Sequence, residues 1–165
     1  MFRAIKLWFT NRNYYYQRKR YMKLQKTYRT KLQKQAKEFC PWSGWYIHEM
    51  VKTMLEFYEK TYTAQDCCWT TEEHTNKVAE QVRIALDFSA KLDMIDDVSS
   101  CDELIPFAEE YGEEFSAYCA EVNKRIEDKT YAERFLGHVA YEFLEKKYTS
   151  ELYNIIGKYI WGWYD

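Results

Sequence analysis

A chain of 165 residues that is 47% hydrophobic and 30% charged is too apolar to stay disordered, and its length suits one domain around one core. Only five Gly and two Pro leave few sites for the many turns of a sheet protein, so helices are expected. The net charge of −2 conceals a division: residues 1–38 carry 12 Lys or Arg and the single acid Glu38 (+11), while residues 39–165 carry 12 basic and 25 acidic residues (−13).

Apolar spacing and cap signals mark the elements in chain order. The first helix starts near Phe2, loosens at residues 10–13 and runs from Tyr14 to Phe39, where Pro41 and Gly44 stop it. The second spans about Trp45 to Thr61, with Ile47, Met50, Val51, Met54, Leu55 and Tyr58 on one side. Thr70 and Glu73 have capping-box spacing and open a third that ends near Asp96. Ser100 and Glu103 repeat that spacing before a fourth that runs through Pro106 to Ile126, with Gly112 as a bend. Thr130 and Glu133 open a fifth, and Thr149–Ser150 either start a sixth or lie within a continuous fifth. The expected fold class is all-α, a single-domain helical bundle of five to six helices with a long basic N-terminal helix. In outline, a basic aromatic arm (1–38) precedes an acidic helical body (39–165).

Known catalytic and metal templates do not fit. His48-Glu49 begins a zincin-like His-Glu-x-x-His, but Lys52 occupies the second His position. A di-iron bundle needs Glu three residues before His, and Trp45, Thr71 and Phe135 stand there before His48, His74 and His138. Cys67, Cys68 and His74 resemble a metal corner without a second half-site, so no metal or cofactor is expected. His138 and Glu142 lie one helical turn apart, a spacing more typical of a surface pair than of an acid–base couple. Acidic doublets such as Glu109-Glu110 and Glu113-Glu114 suit a solvated helix face. No phosphate loop or nucleophile elbow is present. Five Cys, an odd number with two adjacent, suit a reducing cytoplasm, and residues 2–9 are too short and too interrupted by Arg3 and Lys6 for a signal core. No apolar run approaches ~20 residues, so a membrane is not the expected partner.

The most informative segment is the basic aromatic helix. At about 100° per residue, Tyr14, Tyr21, Tyr28 and Leu32 form one stripe, which reads as a packing seam. Lys19, Lys23, Lys26, Lys34 and Lys37 fall within roughly 80° on the opposite side. Arg12, Tyr15, Tyr16 and Arg18 gather near the start of this run. Solvated helices usually interleave acids at i+4 to offset such repulsion, and here Lys34 and Glu38 make the only such spacing. An external anion is therefore expected: the acidic body of the same chain, a neighbouring subunit, a nucleic acid or nucleotide, an acidic protein surface or, ranked last, a membrane surface.

The chain closes on IIGKYIWGWYD, residues 155–165. A terminus so rich in Trp161, Trp163 and Tyr164 either docks on its own core or forms a seam against a second copy or another protein. This ending resembles small uncharacterised proteins of tailed bacteriophages, whose last residues often read Trp-Trp-Asp. Gly162 and Tyr164 depart from that pattern. The resemblance covers about the last tenth of the chain, carries no functional residues across, and implies a phage-encoded accessory, virion or anti-defence role in a host cytoplasm. The functional expectation is a non-enzymatic helical binding module. A self-assembling structural protein ranks second and an enzyme with an unfamiliar site third.

Overall fold

In a computed structural model of the chain, every described element is helical, and no strand occurs among the described residues. These residues are 2–38, 44–63 and 71–163, with side chains described for 14–38, 46–63, 71–160 and 162–163. The elements are α1 (Phe2–Lys37), α2 (Gly44–Thr63), α3 (Glu72–Asp97), a first 3₁₀ helix (Cys101–Leu104), α4 (Ile105–Glu109), α5 (Glu113–Ile126), α6 (Tyr131–Arg134), α7 (Leu136–Tyr159) and a second 3₁₀ helix (Ile160–Trp163).

Seven α-helices among the described residues exceed the five to six expected, and each difference has a local cause. The anticipated loosening at residues 10–13 does not occur, and α1 is continuous. Thr and Asn cost a helix only a few tenths of a kcal/mol each, and without Gly or Pro nothing there breaks it. The cap of α3 moves by one residue. Thr71 Oγ1 accepts the backbone N–H of His74 at 3.3 Å, while Thr70 lies outside the described residues; Glu72 and Glu73 then occupy the positive end of the helix dipole.

The fourth expected helix is three elements. Ser100 Oγ accepts from Asp102 N rather than from Glu103, which closes a 3₁₀ turn. Gly112 adopts φ +49 and ψ −109, a conformation costly for any side chain, so the expected bend becomes a full break between α4 and α5. At the fifth, the capping box fails because Asp128 takes its partner: Asp128 Oδ1 accepts both the backbone N–H and the hydroxyl of Thr130 at 2.9 and 3.0 Å. Those bonds, with Arg134 nearby, hold the Asp128 carboxyl below the usual carboxylate range. Only one turn, α6, follows before α7 begins. Thr149 and Ser150 lie inside α7, so the fifth pattern continues through them.

The chain divides into two compact units, residues 1–86 with 158–165, and residues 87–157. In the first, α1 packs on α2. Tyr28 is buried, with its ring 5.6 Å from that of Phe57, and Tyr21 lies 6.1 Å from the same ring. Gln35 donates to Thr53 Oγ1 at 2.9 Å, and Lys31 pairs with Glu56 at 2.9 Å. Val78, Val82 and Ala85 of α3 are buried. Trp163 is 2% exposed; its indole donates to Gln81 Oε1 at 3.1 Å, its ring stands 5.4 Å from Tyr58, and its carbonyl accepts the Tyr62 hydroxyl.

The second unit is built around α7. Phe143 meets Phe115, Tyr118 and Tyr111 at 5.2, 5.5 and 5.6 Å between ring centres. Such pairs contribute about 0.5–1.5 kcal/mol each beyond area burial. Leu104, Leu144 and Leu152 are fully enclosed. Burial also raises the phenol pKa values of Tyr118, Tyr141, Tyr148 and Tyr153. Tyr141, donating to Asp96 at 2.9 Å, is pushed from 10.0 up to about 12.

A pKa raised on folding stabilises the native state below the unfolded value, and that stability is lost as pH rises through the folded one. The second unit should therefore lose helix between the ordinary phenol value of 10.0 and about 12. Tyrosinate absorbance should rise together with the loss of circular dichroism. Full ionisation at the ordinary value with the helical signal intact would refute this.

Candidate functional site

The described Lys and Arg side chains of α1, from Arg18 onward, lie where helical geometry places them. Tyr21, Tyr28 and Leu32 turn toward α2, and Tyr14, on the same stripe, is 37% exposed. On the other side Lys19, Lys23, Lys26, Lys34 and Lys37 are all exposed, as is Arg18 toward one flank. Among the described residues none of these six cations pairs with a carboxylate. On the α2-facing side, Lys31 pairs with Glu56 at 2.9 Å. Thr27 and Thr30 bond back to the carbonyls of Lys23 and Lys26 at 3.1 and 3.0 Å, so their hydroxyls are engaged with the helix itself. Tyr15 and Tyr16 are exposed and meet edge to face, 6.0 Å apart at 74°. Arg12 belongs to the backbone of α1, and its side chain lies outside the described residues.

The helix is thus acid-free and strongly cationic from residue 2 to residue 37, with 12 Lys or Arg. From Lys19 to Lys37 the cations span about 27 Å at ~1.5 Å rise per residue. Like charges at such spacing oppose helix formation, and the packing of Tyr21 and Tyr28 on Phe57 is what holds the segment helical. Burial on one face thereby fixes an array of positive charge on the other.

Other sequence-level candidates resolve differently. Trp163 docks within its own unit, so its ring is not on the surface; the side chain of Trp161 and all of Tyr164 lie outside the described residues. Cys67 and Cys68 also lie outside them, His74 stands in the first turn of α3, and no group of three His, Cys, Asp or Glu able to hold a metal occurs among the described residues. His48 is buried. Glu142 does not serve His138; it accepts from the Tyr118 hydroxyl and from Arg125, both at 3.1 Å. Glu114 is paired with Lys147 at 2.6 Å and Asp96 accepts from Tyr141, so part of the acidic surface is engaged locally. No helix among the described residues is long and apolar enough to cross a membrane.

A feature that the linear pattern did not reveal is an open groove of about 570 Å³ between α1 and α2, floored by Tyr21, Tyr28, Leu32, Met50, Met54 and Phe57. Its residues come from two helices, so only the register of their packing brings them together. Gln35 was equally illegible, since its role comes from Thr53 and the Glu49 carbonyl opposite. No family model matches the chain, and no curated protein and no solved structure matches it either.

Proposed function

We propose that this protein is a non-enzymatic binding module that holds a polyanion, a nucleic acid or a nucleotide-bearing chain, along the exposed face of α1. The observation that carries this reading is the row Lys19, Lys23, Lys26, Lys34 and Lys37, exposed and without carboxylate partners among the described residues. Fixed positive charge along a rigid helix binds phosphate by releasing condensed counter-ions, which needs no base-specific contact. Exposed Tyr15 and Tyr16, with Arg12 and Arg18 near them in sequence, suit backbone contact with occasional stacking. The ending resembling phage proteins fits a phage-encoded accessory or anti-defence role within the same reading. An acidic protein surface satisfies the same electrostatics, but its carboxylates are seldom spaced as regularly as phosphates.

Duplex DNA affinity should fall with log salt at a slope of about −5 for six contacts, roughly a thousandfold between 50 and 200 mM salt. The triple variant Lys19→Glu, Lys23→Glu, Lys26→Glu should abolish measurable binding at the higher salt. Binding that survives this reversal refutes the proposal. Light scattering on the same variant addresses self-assembly: oligomers that dissolve on charge reversal would favour a scaffold over a polyanion binder.

A further inference from the structure

The groove between α1 and α2 lies on a different side of α1 from the lysine row and has its own chemistry. On α1 it runs from Tyr21 to Ala36, about 22 Å at ~1.5 Å per residue, and on α2 from Met50 to Tyr58. Its floor is aromatic and thioether; Met54 remains 36% exposed. Methionine adapts its shape to apolar side chains and favours contact with rings, which makes such grooves receptive to helices.

The polar groups on its border are Gln25, Gln33 and Arg29, all from α1 and all exposed. Among the described residues no carboxylate lines it. Of the acids of α2, Glu56 turns to Lys31 and Glu59 approaches Arg83 at 4.0 Å, and Glu49 is not part of the lining. Arg29 has no acidic partner among the described residues. Arg18, a few turns earlier on the same flank, is in the same position. Among the described residues the groove is therefore apolar at its floor, cationic along one edge and without a carboxylate.

We infer that this groove receives an amphipathic helix of a partner protein, with apolar anchors at i, i+3, i+4 and i+7 and acidic residues flanking them. The length matches three to four helical turns, and the charge decides the occupant. A second copy of this chain, seated through the same groove, would set one cationic edge against another, with no carboxylate among the described lining residues to offset them. A partner helix bearing Glu or Asp beside its anchors meets Arg29 with the opposite sign. This inference does not depend on the polyanion reading, since it uses another face.

The test uses the full chain and two synthetic peptides with identical leucine anchors, one flanked by Glu and the other by Lys, read by fluorescence anisotropy. The Glu-flanked peptide should bind at least about tenfold more tightly, because charge at the rim discriminates between partners. Met54→Glu, at an exposed site that tolerates charge, should abolish that binding. Arg29→Glu should remove or reverse the preference for the Glu-flanked peptide, a result that general stickiness would not produce. The double reversal Lys19→Glu, Lys23→Glu, which leaves Lys26 one turn from Arg29 unchanged, should alter peptide affinity less than about threefold at 0.15 M salt, because those two side chains lie beyond most of the ~8 Å screening length from the groove. Equal binding of both peptides, or binding unaffected by Met54→Glu, would overturn the inference. So would preferential binding of duplex DNA that Met54→Glu removes, or a dimer of this chain that the same substitution dissociates, since each assigns the groove another occupant.

Discussion

Trp163→Ala is expected to lower stability by about 3–5 kcal/mol, the cost of emptying a site shaped for a large aromatic side chain. The ring is 2% exposed and stands against Tyr58, with Tyr62 and Gln81 bonded to the same residue. Total stabilities are typically ~5–15 kcal/mol, so the first unit would be close to unfolding. Trp163→Phe separates the contributions. It keeps most of the apolar volume but leaves Gln81 Oε1 without its donor, a loss of about 1–2 kcal/mol. Urea denaturation followed by circular dichroism measures both. A loss below about 1 kcal/mol for Trp163→Ala would mean that the terminus contributes little to the core, contrary to the usual cost of removing a buried Trp.

Two glycines of the same helix should respond in opposite directions. Gly157 has nothing within 4 Å of the position its Cβ would take. Gly157→Ala should therefore stabilise α7 by about 0.5–1 kcal/mol, through helix propensity and a less flexible unfolded chain. Gly137 lies in the first turn of α7, where the helix crosses the first 3₁₀ helix. A Cβ there would stand 2.8 Å from Asp102 N and 2.9 Å from Cys101 C, and would also collide with Asp102 Oδ1.

The carboxylate can swing away, but the two backbone atoms cannot move without disturbing the turn that Ser100 caps. The overpacking cost of about 1–3 kcal/mol outweighs the propensity gain, so Gly137→Ala should destabilise by roughly 1–2 kcal/mol net. Comparing urea midpoints of the two variants decides the matter. Stabilisation by both substitutions would show that the crossing at Gly137 is looser than described.

How far each feature could be read from the chain follows from its physical range. The stripe of Tyr21, Tyr28 and Leu32 and the opposing lysines needed only the helical period, which is a property of the backbone. The capping signals were less secure. Thr130–Glu133 has the spacing of a capping box, yet Asp128 reaches Thr130 first, and a pattern that scores one pair cannot register a competitor two residues away. Gly112 was legible as a weak point, while its positive φ is visible only in the folded backbone. The docking of Trp163 was one of two readings open at the terminus. What resolved it was a polar partner, Gln81, 82 residues distant in sequence.

By itself the amino-acid sequence determined the helical class, the segregation of positive charge into the first 38 residues and the two faces of α1, because periodicity and local charge act over a few residues. Tertiary structure decided the rest: which of those faces is buried, where Trp163 goes, why residue 137 has no room for a methyl group, and that a groove edged by Arg29 exists at all. Each of these is a contact between residues far apart in the chain, and its free energy exists only once the helices that carry them are packed together.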